Sequence, residues 1–384
     1  MKNHFENILG ISAYYHDSAA CILKNGNIVV AIEEERFTRI KHDNSFPENA
    51  IKFCLEKANL KPEEIDAICY YEKPLIKFDR VIHMFINSYP FSFSVFLKSF
   101  PEFISVKINP EQKLKKLGFK AKIFYIPHHL AHASSTFFTS PFKKAAILTV
   151  DGVGEWQTTG LYLGIKNEII PLKKIDFPNS LGLLYSTITA FLGFKVNNDE
   201  YKVMGLSSYG KPKYYKKFLK FIEIKDDGSF KLNMKYFAFD RSETMWSEEM
   251  EKLLGKPRKP DEKIKERHKN IAATLQKVTE EIYLKLLNHL YSLTKVENVC
   301  IAGGVALNAL ANGKIYEKTP FKRAYVIGPA GDNGAALGAA LFLWNFLLKK
   351  PRKVLNHLYL GRDYDNRYIE NFLIKKEYEI KFEK

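Results

Sequence analysis

Cysteine is scarce in this chain of 384 residues: Cys21, Cys54, Cys69 and Cys300 stand far apart, with no short pairing interval between them. Neither a disulfide framework nor a cysteine-based zinc site follows, and a reducing cytoplasm is the expected compartment. Long apolar runs are missing as well. The opening MKNHFENILGIS has no apolar stretch after its lysine that would make a secretory leader. The aromatic stretch 83–103 is interrupted by Pro90, Lys98 and Pro101. The run 337–348 is too short to span a bilayer. A soluble protein with no membrane partner is expected, with the aromatic stretch as a partly exposed lid or contact surface. Acidic residues are outnumbered, 43 against 59 basic ones, for a formal charge of +16. The lysines are spread rather than clustered, so the excess reads as compositional bias and argues against a nucleic-acid partner. An anionic small substrate such as a phosphate compound suits the same field. Neither GxxxxGK[ST] nor GxGxxG occurs, so the two commonest phosphate-loop signatures are excluded.

What is present is globular: 46% hydrophobic and 27% charged residues, enough chain for two lobes around one cleft. Alternation and turn residues predict strands at 8–12, 19–23 and 28–34, with a hairpin turn at Lys24-Asn25-Gly26-Asn27. A helix over 47–58 and a strand over 65–70 follow. The same order recurs at 145–150, 160–164 and 169–172, then a helix over 181–192. ILGIS…ACILKNGNIVV lines up with AILTV…GLYLGIKNEIIP, which predicts two similar lobes whose first turns face each other. The stretch 205–260 is irregular and charged and reads as an insertion on the second lobe. A long helix is expected over 269–293, strands at 298–302 and 324–327, and a final helix reaching about 348.

The sharpest chemical motif is His128-His129-Leu130-Ala131-His132, with Pro127 placed to open a helix. On a helix, His128 and His132 share one face at i and i+4, the spacing by which one helix gives two ligands to a divalent metal. A polar helix start with incidental histidines is the plain alternative. Asp151 ends a strand in ILTVDGVGEW, and Asp332 sits at a strand-to-helix junction in GPAGDNGAALG. Each has a common structural use, as turn former and N-cap respectively, and each could also be a ligand. Two His and two Asp suit iron, manganese or zinc. Gly303-Gly304-Val305-Ala306-Leu307-Asn308 follows a strand and reads as the opening of a helix, where backbone N–H groups could meet an anion. Tyr14-Tyr15-His16-Asp17-Ser18 follows the first strand and would face the cleft. Glu34-Glu35-Arg36-Phe37-Thr38-Arg39-Ile40-Lys41-His42 is a solvated loop or a clamp in which Arg39 or Lys41 holds an anionic oxygen. The segment 198–206 reads as a loop near the cleft.

Seven motifs in order, ILGISAYYHDSAA, EEERFTRIKHDNSFP, HHLAHASS, TVDGVGEW, EYKVMGLSSYG, IAGGVALNALANGKI and GPAGDNGAALGAA, resemble the O-carbamoyltransferases of nodulation-factor and antibiotic biosynthesis. The amino-terminal part of that family is similar to the tRNA threonylcarbamoyl transferases. The resemblance implies an α/β fold with duplicated ribonuclease H-like lobes, as in actin, sugar kinases and heat-shock ATPases. The lobes would span 1–143 and 144–350, with an insertion at about 205–265, and 351–384 would begin a truncated YrdC-like domain. It implies His128, His132, Asp151 and Asp332 as ligands of a divalent transition metal, usually iron. It places His16, Asp17 and Lys41 by the acceptor and the transferred carbamoyl group, and Gly303, Gly304 and Asn308 at the nucleotide. The implied reaction moves a carbamoyl group from carbamoyl-adenylate, made from carbamoyl phosphate and ATP, to a hydroxyl of a small-molecule acceptor. His16 or Asp17 would take the hydroxyl proton. A separate YrdC-like polypeptide could supply the adenylating step. A threonylcarbamoyl transferase of the same architecture and a non-catalytic remnant of a split carbamoyltransferase are the competing readings.

Overall fold

In the computed structural model, which describes residues 5–93, 96–97, 100 and 109–375, one sheet plan is used twice. The first sheet holds β1 (Asn7–Ser12), β2 (Ala19–Lys24), β3 (Asn27–Glu33), β4 (Ala67–Tyr70) and β5 (Lys122–Tyr125), in the order β3-β2-β1-β4-β5. Its first three strands form an antiparallel meander, and β4 and β5 run parallel to β1. Asn25 and Gly26 take φ of 50° and 75°, the paired positive values that a tight hairpin turn needs. The second sheet starts with β6 (Lys144–Val150), β7 (Gln157–Ile165) and β8 (Glu168–Asp176). A small separate hairpin, β9 (Ile222–Ile224) and β10 (Phe230–Leu232), intervenes before β11 (Asn298–Ala302) and β12 (Arg323–Val326). The order β12-β11-β6-β7-β8, read from β8, repeats that of the first sheet. Two ribonuclease H-like units in tandem give the two-lobed architecture of actin, sugar kinases and heat-shock ATPases, as the internal duplication predicts.

The helices that position the cleft are α1 (Glu35–Thr38), α2 (Glu48–Ala58), α3 (Pro74–Asn87), α4 (His128–Thr139), α5 (Leu181–Phe191), α6 (Glu200–Ser207), α7 (Glu266–Thr294) and α8 (Asp332–Leu341). Two of them trade places. α4 follows the last strand of the first sheet but packs on β6 and β11 of the second. α8 follows the last strand of the second sheet but packs on β1 and β2 of the first. The two helices lie against each other, and small residues allow the approach. A Cβ on Gly338 would stand 1.9 Å from the Ala131 carbonyl oxygen, and one on Gly10 2.2 Å from that of Ala336. Both helix starts, His128 and Asp332, therefore meet at one level between the sheets.

Several expectations change in detail. The segment 198–206 is not a loop: α6 covers most of it. Its charges serve the helix start, because the Glu200 carboxylate accepts the Asn197 and Asn198 N–H groups at 2.9 and 3.0 Å, while Val203 is buried and the helix packs on α7. The glycine turn opens a 3₁₀ turn, Gly304–Leu307, before a one-turn helix, Ala309–Asn312, that Asn308 caps. The strand expected at 169–172 extends over Glu168–Asp176. The stretch read as irregular contains β9, β10 and a helix over Glu248–Leu254. α8 continues into a π-helical turn, Phe342–Leu347. Part of the aromatic stretch lies outside the described residues; within them Tyr89, Phe91, Phe93 and Leu97 are exposed. From Pro351 to about residue 365 the chain runs as a strap without regular structure, and a further helix covers Asn366–Lys375. The Arg352 guanidinium donates to the carbonyls of Phe137, Phe142 and Ser140 at 2.5, 2.7 and 3.1 Å. Leu355 N–H bonds to Thr139 O at 2.9 Å, and Leu360 O accepts from Ala31 on edge strand β3 at 3.1 Å. No helix among the described residues is long and apolar enough to cross a membrane.

Candidate functional site

Pro127 opens α4, its carbonyl accepting the N–H groups of Leu130 and Ala131 at 2.9 Å each. His128 and His132 then lie one turn apart, and their Nε2 atoms approach to 3.1 Å. Asp151 emerges just past β6. Its Oδ2 stands 2.7 Å from His128 Nε2 and 3.2 Å from His132 Nε2, while its Oδ1 accepts the Gly304 N–H at 2.9 Å. Asp332 comes from the other side, with Oδ1 3.6 and 3.4 Å from the same two nitrogens. One ligand atom from each of the four buried residues fits within 4.8 Å. Asp332 is not an N-cap: Gly331 holds that place, Asp332 is the first helical residue, and both of its buried carboxylate oxygens lack a hydrogen-bonding partner.

That orphaned carboxylate is the test of whether a metal fits. A buried carboxylate without donors is costly, and two Nε2 atoms only 3.1 Å apart crowd the single Asp151 Oδ2 that serves them both. A cation between them would satisfy all four groups. Ligands on opposite sides of such an ion, each ~2.1 Å from it, stand about 4.2 Å apart, within the observed span. The donor set of two nitrogens and two carboxylates fits a borderline divalent metal. Without a cation the cluster holds protons instead. Burial pulls His132 down, but the Asp151 and Asp332 carboxylates outweigh it and push the imidazole up to about 9. Asp151 is raised by burial but held well below the usual carboxylate range by its hydrogen bonds from His128 and His132.

Neighbouring groups fix this geometry. The Glu155 carboxylate accepts the otherwise unpaired His128 N–H at 3.1 and 3.2 Å and the Lys73 N–H at 2.8 Å, tying together the loop after β6 and the starts of α3 and α4. The edge of the Tyr71 ring meets His128, centroids 5.3 Å apart. Gly154 lets the loop close on His128, since a Cβ there would be 2.9 Å from His128 Cβ. His129 points away. Its Nε2 donates to Gln157 O at 2.9 Å, so its Nδ1 accepts from Thr149 Oγ1 at 2.7 Å, and burial holds it well below the usual histidine range.

A cavity of about 410 Å³ opens beside the cluster. Asp151 belongs to both. His16, Asp17, Lys41 and His42 line one wall, and Tyr185, Asn308 and Leu307 part of the opposite one. Asp17 is shared by two imidazoles: Oδ2 takes His16 Nδ1 at 2.9 Å and Oδ1 takes His42 Nδ1 at 2.5 Å. Burial raises the Asp17 carboxyl, but these two bonds win and hold it well below its ordinary value. Burial lowers His16, yet Asp332, Asp17 and Asp151 together bring it up to about 9. Lys41 reaches across the mouth to Asn198 Oδ1 at 3.2 Å and lies over the Tyr201 ring at 4.7 Å. Gly304 and Asn308 line the cavity but Gly303 does not. Gly303 has φ 96° and would place a Cβ 2.3 Å from Val150 O, so it serves the turn itself. The Asn308 amide is engaged with Gln276 at 2.9 Å in both directions and caps the following turn through Ala311 N–H at 3.0 Å. Sequence reading passed over Glu155 and His42. Their partners, 27 and 25 residues away, leave no local periodicity to find.

Comparison with known proteins agrees with the motif pattern. A family model described as "Carbamoyltransferase N-terminus" matches residues 7–341. An uncharacterized protein of Synechocystis is 44% identical over 382 residues, covering 95% of this chain and 62% of that protein. The nodulation protein NolNO of Sinorhizobium fredii is 33% identical over 379 residues, covering 96% of this chain and 52% of that protein. The chain thus spans between half and two thirds of these relatives' length. Among solved structures, component A of (R)-2-hydroxyglutaryl-CoA dehydratase from Acidaminococcus fermentans superposes with a TM-score of 0.44 at 16% identity, over 88% of this chain and 96% of that one.

Proposed function

This chain belongs to the carbamoyltransferase family, and from that premise we propose that it is a metal-dependent O-carbamoyl-transfer module. It would take the carbamoyl group from carbamoyl-adenylate and pass it to a hydroxyl of a small-molecule acceptor. The observation that carries the proposal is the sharing of Asp151 between the orphaned ligand cluster and the cavity. His128, His132, Asp151 and Asp332 would hold the cation. When bound, such a metal, iron by family resemblance, supplies Lewis-acid polarisation and positive charge for a phosphate.

The chain's own residues do the rest. Lys41 and a protonated His16 set positive charge against the anionic donor and the oxygen charge that develops during transfer. Asp17 orients His16 by its Nδ1, and His16 lines the cavity. Gly304 and Asn308 shape the wall on which the nucleotide would rest. The acceptor oxygen forms a bond to the carbamoyl carbon as the bond from that carbon to the phosphate oxygen breaks, and AMP departs. We expect purified protein to hold about one equivalent of transition metal and to release AMP from supplied carbamoyl-adenylate. The double change His128→Ala and His132→Ala should abolish both. Full metal content in that variant, measured by elemental analysis, contradicts the ligand assignment.

A further inference from the structure

We propose that His42 is the base that takes the proton from the acceptor hydroxyl, with Asp17 as its orienting partner and His16 committed to the donor side. The proposal rests on the carbamoyl-transfer reading above and deepens it.

Asp17 is the pivot. An ionised carboxylate only accepts hydrogen bonds, so the Nδ1 atoms of His16 and His42 both carry hydrogen where they meet it. In a neutral imidazole this leaves the lone pair on Nε2, and all three residues line the cavity. The carboxylate–imidazole pairing is the arrangement that fixes the tautomer of a general base. The two histidines differ in what lies beyond them. His16 feels the charges of Asp332 and Asp151, so it looks inward to the ligand cluster, and its side chain is 15% exposed. His42 is the more exposed of the two, at 28%, which favours it as the group that an incoming acceptor meets. Asp17 itself, with each oxygen taken by an imidazole, is the poorest base of the three.

His42 is also held in place at a cost. Its φ of 57° lies in the left-handed region that a residue with a Cβ seldom adopts, and strain of this kind persists only where surrounding bonds impose it. Here they do. His42 N–H donates to Glu35 Oε2 at 2.8 Å. Asp43 accepts from Thr38 Oγ1 at 2.6 Å and Ser45 N–H at 2.8 Å. Tyr14 N–H to Asn44 O at 3.0 Å and Ser18 N–H to Asp43 O at 2.9 Å stitch the loop to the turn that carries Asp17. The charged and titratable groups around His42 are Asp17 and His16 on that turn, Glu35 on α1, Lys41 beside it, and Glu200 and Tyr201 across the cavity.

In the step, the acceptor hydroxyl proton moves to His42 Nε2. The freed oxygen pair makes the bond to the carbamoyl carbon, the pair of the broken carbon–oxygen bond leaves on the phosphate of AMP, and the proton passes from His42 to water. Two nucleophiles separate this role from a structural one. Water needs a base, whereas hydroxylamine is neutral and strongly nucleophilic at pH 7.5. With carbamoyl-adenylate supplied to the metal-loaded protein, His42→Gln should slow transfer to water by about 100-fold or more while transfer to hydroxylamine falls by less than about threefold. Parallel loss with both nucleophiles, or no loss with water, overturns the proposal. So does a second equivalent of bound metal that vanishes in His42→Gln, since Asp17, Glu35 and His42 also bring ligand atoms within 4.8 Å. A readout independent of turnover is the ¹⁵N NMR signature of the imidazole. In its neutral form His42 should carry hydrogen on Nδ1 alone and lose that preference in Asp17→Asn. Hydrogen on Nε2 overturns the proposal even if the wild type transfers to neither nucleophile, an outcome that by itself would count against the carbamoyl-transfer reading.

Discussion

If the four-residue cluster seats a cation as proposed, that cation and a proton would compete for His132. In the metal-free cluster burial would lower this imidazole, but two carboxylates bring it up to about 9. Below that pH a metal must displace the proton to use Nε2, so affinity should weaken by about tenfold for each unit of falling pH. Titrations with zinc or manganese at pH 6, 7 and 8 would measure the slope, and a flat profile contradicts it. The stability consequence has the opposite sense. A group whose pKa is raised on folding stabilises fully below its unfolded value and less as pH rises toward the folded one. The metal-free protein should therefore lose this contribution between about pH 6.5 and pH 9, visible as a falling Tm, and metal should remove the dependence. Much of the cluster was legible one residue at a time: the i, i+4 pair announces itself, and a carboxylate at a strand tip is a recognisable position. Glu155 was not legible, because what makes it matter is a helix N–H that only the fold brings to it.

Helix contact sets the distance between the two halves of the cluster. Gly338 on α8 touches the backbone of Ala131 on α4, and no side chain could flex out of the way of that carbonyl. Gly338→Ala should push the helices apart and cost about 1–3 kcal/mol, read as a lower urea midpoint. Metal binding should weaken too, since His132 and Asp332 ride on the displaced elements. Gly205→Ala is the control: nothing lies within 4 Å of where an added Cβ would stand, the residue sits inside α6, and the change should be neutral or stabilise by about 0.5–1 kcal/mol. Elements with strong periodicity could be read directly. Asn298–Ala302 and the long α7 lie where the pattern puts them, within three residues at the ends. α6 could not. It is eight residues long, starts in a charged run, and owes its apolar partner to α7, more than sixty residues further along.

Across the whole molecule the duplication was visible as two similar meanders, and the repeated sheet order bears it out. The exchange of α4 and α8 between sheets was not visible, because amphipathic spacing says that a helix has a buried face but not which sheet will cover it. The strap after Pro351 adds a connection of its own. Arg352 gathers three carbonyls around the end of α4, with its guanidinium 4.2 Å from the Phe137 ring centroid. Arg352→Met should cost about 3 kcal/mol, because charged hydrogen bonds are lost and carbonyls are left without donors. Arg352→Lys should restore only part of this, since an ammonium cannot span the same fork. Urea unfolding of the two variants would rank them, and equal midpoints for Met and wild type would show that the strap contributes nothing at this point.

The exchanged helices carry one more implication. His128 and His132 follow the first sheet in the chain, while Asp151 follows the first strand of the second sheet and Asp332 its last, so under the proposed ligand set each repeat would supply only half a seat for an ion. Made separately, neither portion could retain one; combined, they should recover it at the moment they dock. Bound metal would then report, with a single stoichiometric number, that the two repeats have docked correctly.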